Sequence, residues 1–354
     1  MRVLMITQKL DAGDPILAFT LDWVRELAAR VQQLEVLCLE QRVKTSDLPA
    51  NVHVWSMGKE RGVGRVRELL TFYATLLRLA PSLDAIFAHM VPRYAWLAAL
   101  VAVLFDVPIF LWYTHRQESR ELHWATRVSK LVFTAAPDSF PLQTPKLRAV
   151  GHGIDTSFFA PDPQVPDDQP PLIVQVARLM PIKHQRTLLL ALAVAIKGGI
   201  DVRVAIVGNV PARQDAEYLT QLQQLASELG IADRVQFTGG LPAPDVRDLY
   251  RRATIAINLS PPGLFDKAAL ESMITGALTI VCNPAFDALL RDHASLLRIA
   301  SPEDVDGLVL AIRSVLELDQ ATRDNIALDI QGRARTAHSL TGLMDRLVEV
   351  MSAS

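Results

Sequence analysis

One pattern limits what this chain can fold into: short, uniformly apolar runs alternate with longer segments of helical spacing along most of its length. "RVLMITQ", "LEVLCLE", "VHVWSM", "LDAIFAHM", "KLVFTAA" and "LRAVGHG" read as strands. "AFTLDWVRELAARV", with Trp23, Leu27 and Val31 on one face, and "RVRELLTFYATLLRLA" read as helices. A Pro- and Asp-rich segment, "DTSFFAPDPQVPDDQPP", has no apolar periodicity and reads as a linker. After it the rhythm restarts with "PLIVQVARL", "DVRVAIVGN", "RVQFTGG", "TIAINLS" and "ALTIVCN" as strands. The helices expected among and beyond them are "HQRTLLLALAVAIKGG", "DAEYLTQLQQLASELGI", "APDVRDLYRRA", "DKAALESMITG", "SPEDVDGLVLAIRSVLELD" and "SLTGLMDRLVEVMS". Apolar strands without period-two alternation suit sheets covered on both faces, and strand–helix alternation makes those sheets parallel. The expected fold class is therefore α/β with two domains, which suits 354 residues. The boundaries predicted are 1–155 for the first domain, 156–170 for the linker, 171–335 for the second, and 336–354 for a helix packing back on the first. Ligands in such sheets bind beyond the carboxyl ends of the strands, and with two domains the natural place is the cleft between them.

Other readings fall away on composition. With 36 basic and 38 acidic residues, nothing suggests a nucleic-acid partner. Cys38 and Cys282 stand in or beside strand-like runs and read as buried thiols of a reducing compartment, so a cytoplasmic location is expected. "AWLAALVAVLFDVPIFLWY" (95–113) is nearly long enough to span a membrane, but Asp106-Val107-Pro108 divides it into a buried helix, a turn and a buried strand. The amino-terminal apolar run is too short for a signal peptide. "GVGRVR" (62–67) lacks the third glycine of a dinucleotide loop. The basic segment 59–67 reads as a solvated loop, or as a rim meeting an anionic acceptor or the inner face of a membrane.

Two segments at strand ends carry residues of chemical interest. In "ARLMPIK" (177–183), Arg178 and Lys183 emerge beside a helix start and could hold a diphosphate, although a solvated loop is the simpler explanation. In "GLFDKAALESM" (263–273), Asp266 suits the N-cap of a helix stopped by Gly276, with Leu270, Met273 and Ile274 on its apolar face. Lys267 and Glu271 are i, i+4 neighbours, so a surface ion pair accounts for them. Alone, the segment does not compel a pocket.

Taken in order, "VARLMPIK", "VAIVGN", "GIADRVQFTGG", "DLYRRATIAINLS" and "ALESMITGALTIVCN" resemble the carboxyl-terminal half of a family 4 glycosyltransferase of the GT-B fold. "GHGIDTSFFAPD" resembles that family's interdomain entry. The likeness is dense over 150–290 and diffuse before it. It implies two Rossmann-like parallel-sheet domains facing a cleft. It also implies retaining transfer from a nucleotide-diphosphate sugar (UDP or GDP) to an unidentified glycan, lipid-linked or small-molecule acceptor, with no cofactor and no metal.

The resemblance also assigns roles. Arg178 and Lys183 match donor-diphosphate cations, and Glu271 matches the carboxylate that binds ribose hydroxyls. The helix start, Gly263, Leu264, Phe265, Asp266 and Lys267, would face the donor phosphates. Phe237 would border the base, and Gly13 and Gly208 complete the donor set, with Asp14 as a further candidate. His115, in "LWYTHRQ", would contact the transferred sugar, and His89 is a second candidate. Two departures stand out. The family's earlier glutamate falls on Gly263, and its glycine pair near 11–15 is reduced to Gly13 in "DAGDP". The missing glutamate would normally grip sugar hydroxyls, so the Asp266–Lys267 pair is expected to replace part of that grip. A nucleotide-sugar epimerase or phosphorylase-like enzyme on the same fold, and a non-catalytic nucleotide-sugar-binding or scaffold protein, are the alternatives.

Overall fold

The computed structural model describes residues 1–14, 17–210 and 216–353. The chain forms two compact units, Met1–Gly153 with Leu340–Ser354, and Ile154–Ser339. The Pro- and Asp-rich segment 156–170 lies within the second.

In the first unit the elements run β1 (Arg2–Leu10), α1 (Thr20–Ala28), β2 (Gln33–Gln41), β3 (Val52–Ser56), α2 (Arg65–Leu79), β4 (Ala85–His89), α3 (Pro92–Leu104), β5 (Ile109–Trp112), α4 (Arg120–Val128), β6 (Leu131–Thr134) and β7 (Leu147–Ala149). They form a seven-stranded sheet in the order β3-β2-β1-β4-β5-β6-β7. Every pair is parallel. All five residues of β4 and all four of β5 are buried, as expected of strands covered on both faces. The ambiguous stretch 95–113 resolves into most of α3, a break over Phe105–Pro108, and β5. No helix among the described residues is long and apolar enough to cross a membrane. The "GVGRVR" segment is a mostly exposed turn leading into α2.

The second unit holds β8 (Leu172–Val176), α5 (Gln185–Lys197), β9 (Arg203–Val207), α6 (Ala216–Glu228), β10 (Val235–Gly239), α7 (Ala243–Arg252), β11 (Ile255–Asn258), α8 (Lys267–Thr275), β12 (Leu278–Val281), α9 (Asp287–Leu290), α10 (Ala294–Leu297), α11 (Val305–Glu317) and α12 (Gln320–His338). Its five strands are parallel in the order β10-β9-β8-β11-β12. The last helix, α13 (Leu340–Ser352), belongs to the first unit. Cys38 and Cys282 are both buried, and burial pushes each thiol up to about 12.

Candidate active site

The order of the second sheet creates the site. From β8 the chain winds outward through β9 to β10, then crosses back to place β11 on the other side of β8. The loops leaving β8 and β11 therefore diverge from neighbouring strand ends, which is where ligands enter open α/β sheets.

Two buried glutamines hold the loop after β8. Gln175 donates to the Lys183 carbonyl at 2.9 Å, and Gln185 donates to the Arg178 carbonyl at 2.9 Å. Lys183 ends a single turn, Pro181–Lys183, that delivers it to the site with its side chain only 10% exposed. Arg178 is exposed, and its guanidinium makes no hydrogen bond or ion pair among the described residues. Gly208 lies where the end of β9 passes this loop. Its φ is +149°, and a Cβ there would sit 1.9 Å from the Ala177 carbonyl oxygen. The residue is therefore required for backbone approach, whatever it does for a ligand.

The loop after β11 begins with a tight turn. Leu264 N–H donates to the Pro261 carbonyl at 3.1 Å, and Gly263 has φ +88°. Proline then glycine at the two central positions is the signature of a type II turn. The side chain missing from position 263 thus coincides with a left-handed backbone that a glutamate would occupy only with strain. Asn283 clips the turn by donating to the carbonyls of Pro261 and Leu264 at 3.3 and 3.2 Å. Phe265 is buried, stacked on Phe286 at 4.6 Å, so its side chain anchors the loop in the core.

Asp266 stands at the N-cap position of α8, but its side chain makes no capping bond, contrary to the simplest sequence reading. It turns inward to the Lys183 ammonium instead. The same oxygen, Oδ2, accepts from Ser260 Oγ at 2.6 Å and Asn258 Nδ2 at 3.3 Å. Ser260 Oγ also accepts from Lys183 at 2.9 Å. A charge-assisted bond in a largely dry site outcompetes a backbone N–H for the carboxylate. Burial opposes the charge on Asp266, but the charge and hydrogen bond of Lys183, with those of Ser260 and Asn258, hold its carboxyl below the usual value. Ser260 and Asn258 escaped sequence reasoning. Their only signal was the polar residues closing the apolar run "TIAINLS".

Glu271 lies one turn further along α8 and is half-buried. Its carboxylate accepts no hydrogen bond and forms no ion pair within 4 Å among the described residues, so the expected surface pair with Lys267 does not form. Burial pushes its carboxyl up, Lys267 opposes that shift, and Asp266 adds to it. A carboxylate whose folded-state value is raised binds more protons in the folded state. It therefore subtracts stability as pH rises from the ordinary 4.5 through the raised value. Glu271→Gln is expected to stabilise the protein at pH 7, by on the order of 1 kcal/mol or less, and to abolish that part of the pH dependence. Thermal unfolding from pH 4 to 8 measures both effects. Gln331 supports α8 from α12, donating to the Ile274 carbonyl at 2.6 Å, and Gly276 ends the helix with φ +103°. Phe237 is half-buried on the edge strand β10.

The candidates of the first unit stand at or beyond the carboxyl ends of β1, β4 and β5, which are neighbours in its sheet. Gly13 is exposed in a turn without positive φ, donating to Asp11 Oδ1 at 2.9 Å. Asp14 pairs with Lys9 at 2.8 Å and accepts from Leu17 N–H at 2.8 Å, while Asp11 meets Lys9 at 2.9 Å. These bonds to Asp14 and Asp11 raise the Lys9 ammonium above its ordinary value. Pro15 of "DAGDP" lies outside the described residues. His89 is 1% exposed, its Nδ1 is 3.2 Å from Thr7 Oγ1, and its ring lies 4.6 Å from that of Trp23. It is packed as a core histidine. His115 is exposed just beyond β5, edge-on to Tyr113 at 5.7 Å.

A family model described as "Glycosyl transferases group 1" matches residues 158–331. The site built on β8, β11 and α8 lies wholly inside the matched residues. Among curated relatives, the chain is 38% identical over 102 residues to a GDP-mannose-dependent alpha-(1-6)-phosphatidylinositol monomannoside mannosyltransferase of Mycolicibacterium smegmatis, covering 27% of this chain and 25% of that one. It is 31% identical over 190 residues to a D-inositol 3-phosphate glycosyltransferase of Thermomonospora curvata, covering 52% and 43%. The chain thus spans less than half the length of either relative. Its fold is similar to that of HepE from Anabaena, solved in complex with UDP, with TM-score 0.77, 18% identity and 100% of both chains covered. It is also similar to that of a glycosyltransferase from Rickettsia africae, with TM-score 0.75, 13% identity and 99% and 98% covered. The fold is GT-B, with two Rossmann-like parallel-sheet domains.

Proposed function

We propose that the protein is a retaining glycosyltransferase that takes a sugar from a nucleotide-diphosphate donor bound to its second unit. The observation that carries this reading is what meets at the β8/β11 strand ends: a cation, a helix N-terminus without a side-chain cap, and a half-buried carboxylate that accepts no hydrogen bond among the described residues. The demand in such a transfer is to stabilise negative charge on the departing diphosphate. Lys183, the open guanidinium of Arg178 and the N-terminus of α8 supply positive potential for it, so the reading needs no metal. Glu271 is assigned to a ribose diol, whose hydroxyls would supply hydrogen bonds to a carboxylate that accepts none among the described residues. His115, the exposed one of the two candidate histidines, is assigned to the transferred sugar.

The acceptor is assigned to the first unit. A cavity of about 920 Å³ opens there at the strand ends, beside Gln8 and Val91, with apolar walls that include Phe72, Tyr94 and Trp96. The test is incubation with UDP- and GDP-hexoses, reading nucleoside diphosphate release and, with an acceptor, the anomeric configuration of the product. Sustained release supports the enzyme. Nucleotide-sugar binding without any release would favour the non-catalytic alternative.

A further inference from the structure

The second unit contains a feature that the proposed reaction does not use: the cation meant for the donor already holds an anion. Lys183 is largely buried, and its ammonium is bonded to Asp266 Oδ2 and Ser260 Oγ. Asp266 is fixed by three donors on that one oxygen, from Lys183, Ser260 and Asn258. Its other oxygen accepts no hydrogen bond among the described residues, and the side chain keeps 24% exposure. It also stands at the entrance to α8, where a carboxylate opposes the anion-attracting end of the helix without bonding it.

We propose that Asp266 is a charge-tuning residue that acts through Lys183: its carboxylate occupies the ammonium in the empty site and lowers the affinity for diphosphates. This inference rests on the donor-site reading above. A diphosphate reaching Lys183 must share the ammonium with Asp266 or displace it, and it then lies beside an unneutralised carboxylate. Both costs fall on any ligand carrying the diphosphate. Bare nucleoside diphosphate, the product of transfer, has the greater charge and nothing beyond it to bind, so the residue favours its release.

Asp266→Asn keeps the shape and an acceptor for Ser260 and Lys183 while removing the charge. The probes are UDP, GDP and inorganic pyrophosphate, titrated by calorimetry into the wild type, Asp266→Asn, Asp266→Ser, Lys183→Ala and the Lys183→Ala/Asp266→Asn double variant. Both single variants at Asp266 are expected to bind at least one probe about tenfold more tightly than the wild type, and the gain should vanish when Lys183 is absent. A merely structural role for Asp266 would lower affinity or leave it alone. Unchanged or weaker binding by folded Asp266→Asn and Asp266→Ser overturns the proposal, as does a gain that persists without Lys183, or no binding of any probe by any variant. Sugar transfer is assayed separately. Tighter pyrophosphate binding without turnover of any nucleotide-sugar would leave this inference standing and remove the reading of the protein as a transferase.

Discussion

Lys183→Ala is expected to lower kcat/KM for the nucleotide-sugar by about 10²–10³-fold, the range seen when one preorganised donor to a developing negative charge is lost. The same substitution should also destabilise the fold, because it strands Asp266 with only neutral donors. Breaking a buried pair costs about 3–5 kcal/mol, and the partial exposure of Asp266 reduces this to about 2–3 kcal/mol. For a unit of this size the thermal midpoint should fall by roughly 5–10 °C. The double variant Lys183→Ala/Asp266→Asn separates the two effects. It should recover most of the lost stability, since no unpaired charge is left, and none of the lost turnover. If turnover returned with stability, Lys183 would be a structural residue and not a ligand of the diphosphate.

Gly208→Ala is the second large effect expected, and it needs no ligand. A methyl group there would overlap the Ala177 carbonyl oxygen at 1.9 Å, with φ at +149°, and the obstacle is backbone that cannot rotate away. Overpacking and backbone strain together should cost about 3 kcal/mol or more. The strain falls on the segment that begins with Ala177 and carries Arg178, so nucleotide affinity should fall even where the protein stays folded. Gly13→Ala is the control. A Cβ there meets nothing closer than Asp11 Oδ1 at 3.5 Å, so its thermal midpoint should stay close to that of the wild type. Equal behaviour of the two alanine variants in thermal unfolding would sink the structural account of Gly208.

Some helices were invisible in the sequence for reasons that can be named. α12 runs for 19 residues, yet only Ile326, Ile330, Gln331, Ala334 and His338 are buried, so it shows little apolar periodicity. α4 was missed although it is amphipathic, because its nine residues are flanked by polar sequence that reads as loop. α9 and α10, at four residues each, are too short for any period to appear. The inner strands such as β4, β5 and β11, by contrast, were each marked by an apolar run, since burial on both faces leaves few positions for polar side chains.

The candidate site divides along the same line. The sequence alone determined that two parallel-sheet units form, that Arg178 and Lys183 follow one strand, and that Glu271 lies on a helix after another. Each is a matter of local pattern, which chain order preserves. It also showed that position 263 is glycine, but not that the backbone there is left-handed. Only the tertiary structure decided what Asp266 does. Sequence assigned it to its nearest neighbours, as a helix cap beside Lys267. The fold instead gave it Lys183, 83 positions away, because β8 and β11 are adjacent in the sheet though not in the chain. An electrostatic partner is chosen by distance in space and by the local exclusion of water, and neither quantity is written in the spacing of residues along a chain.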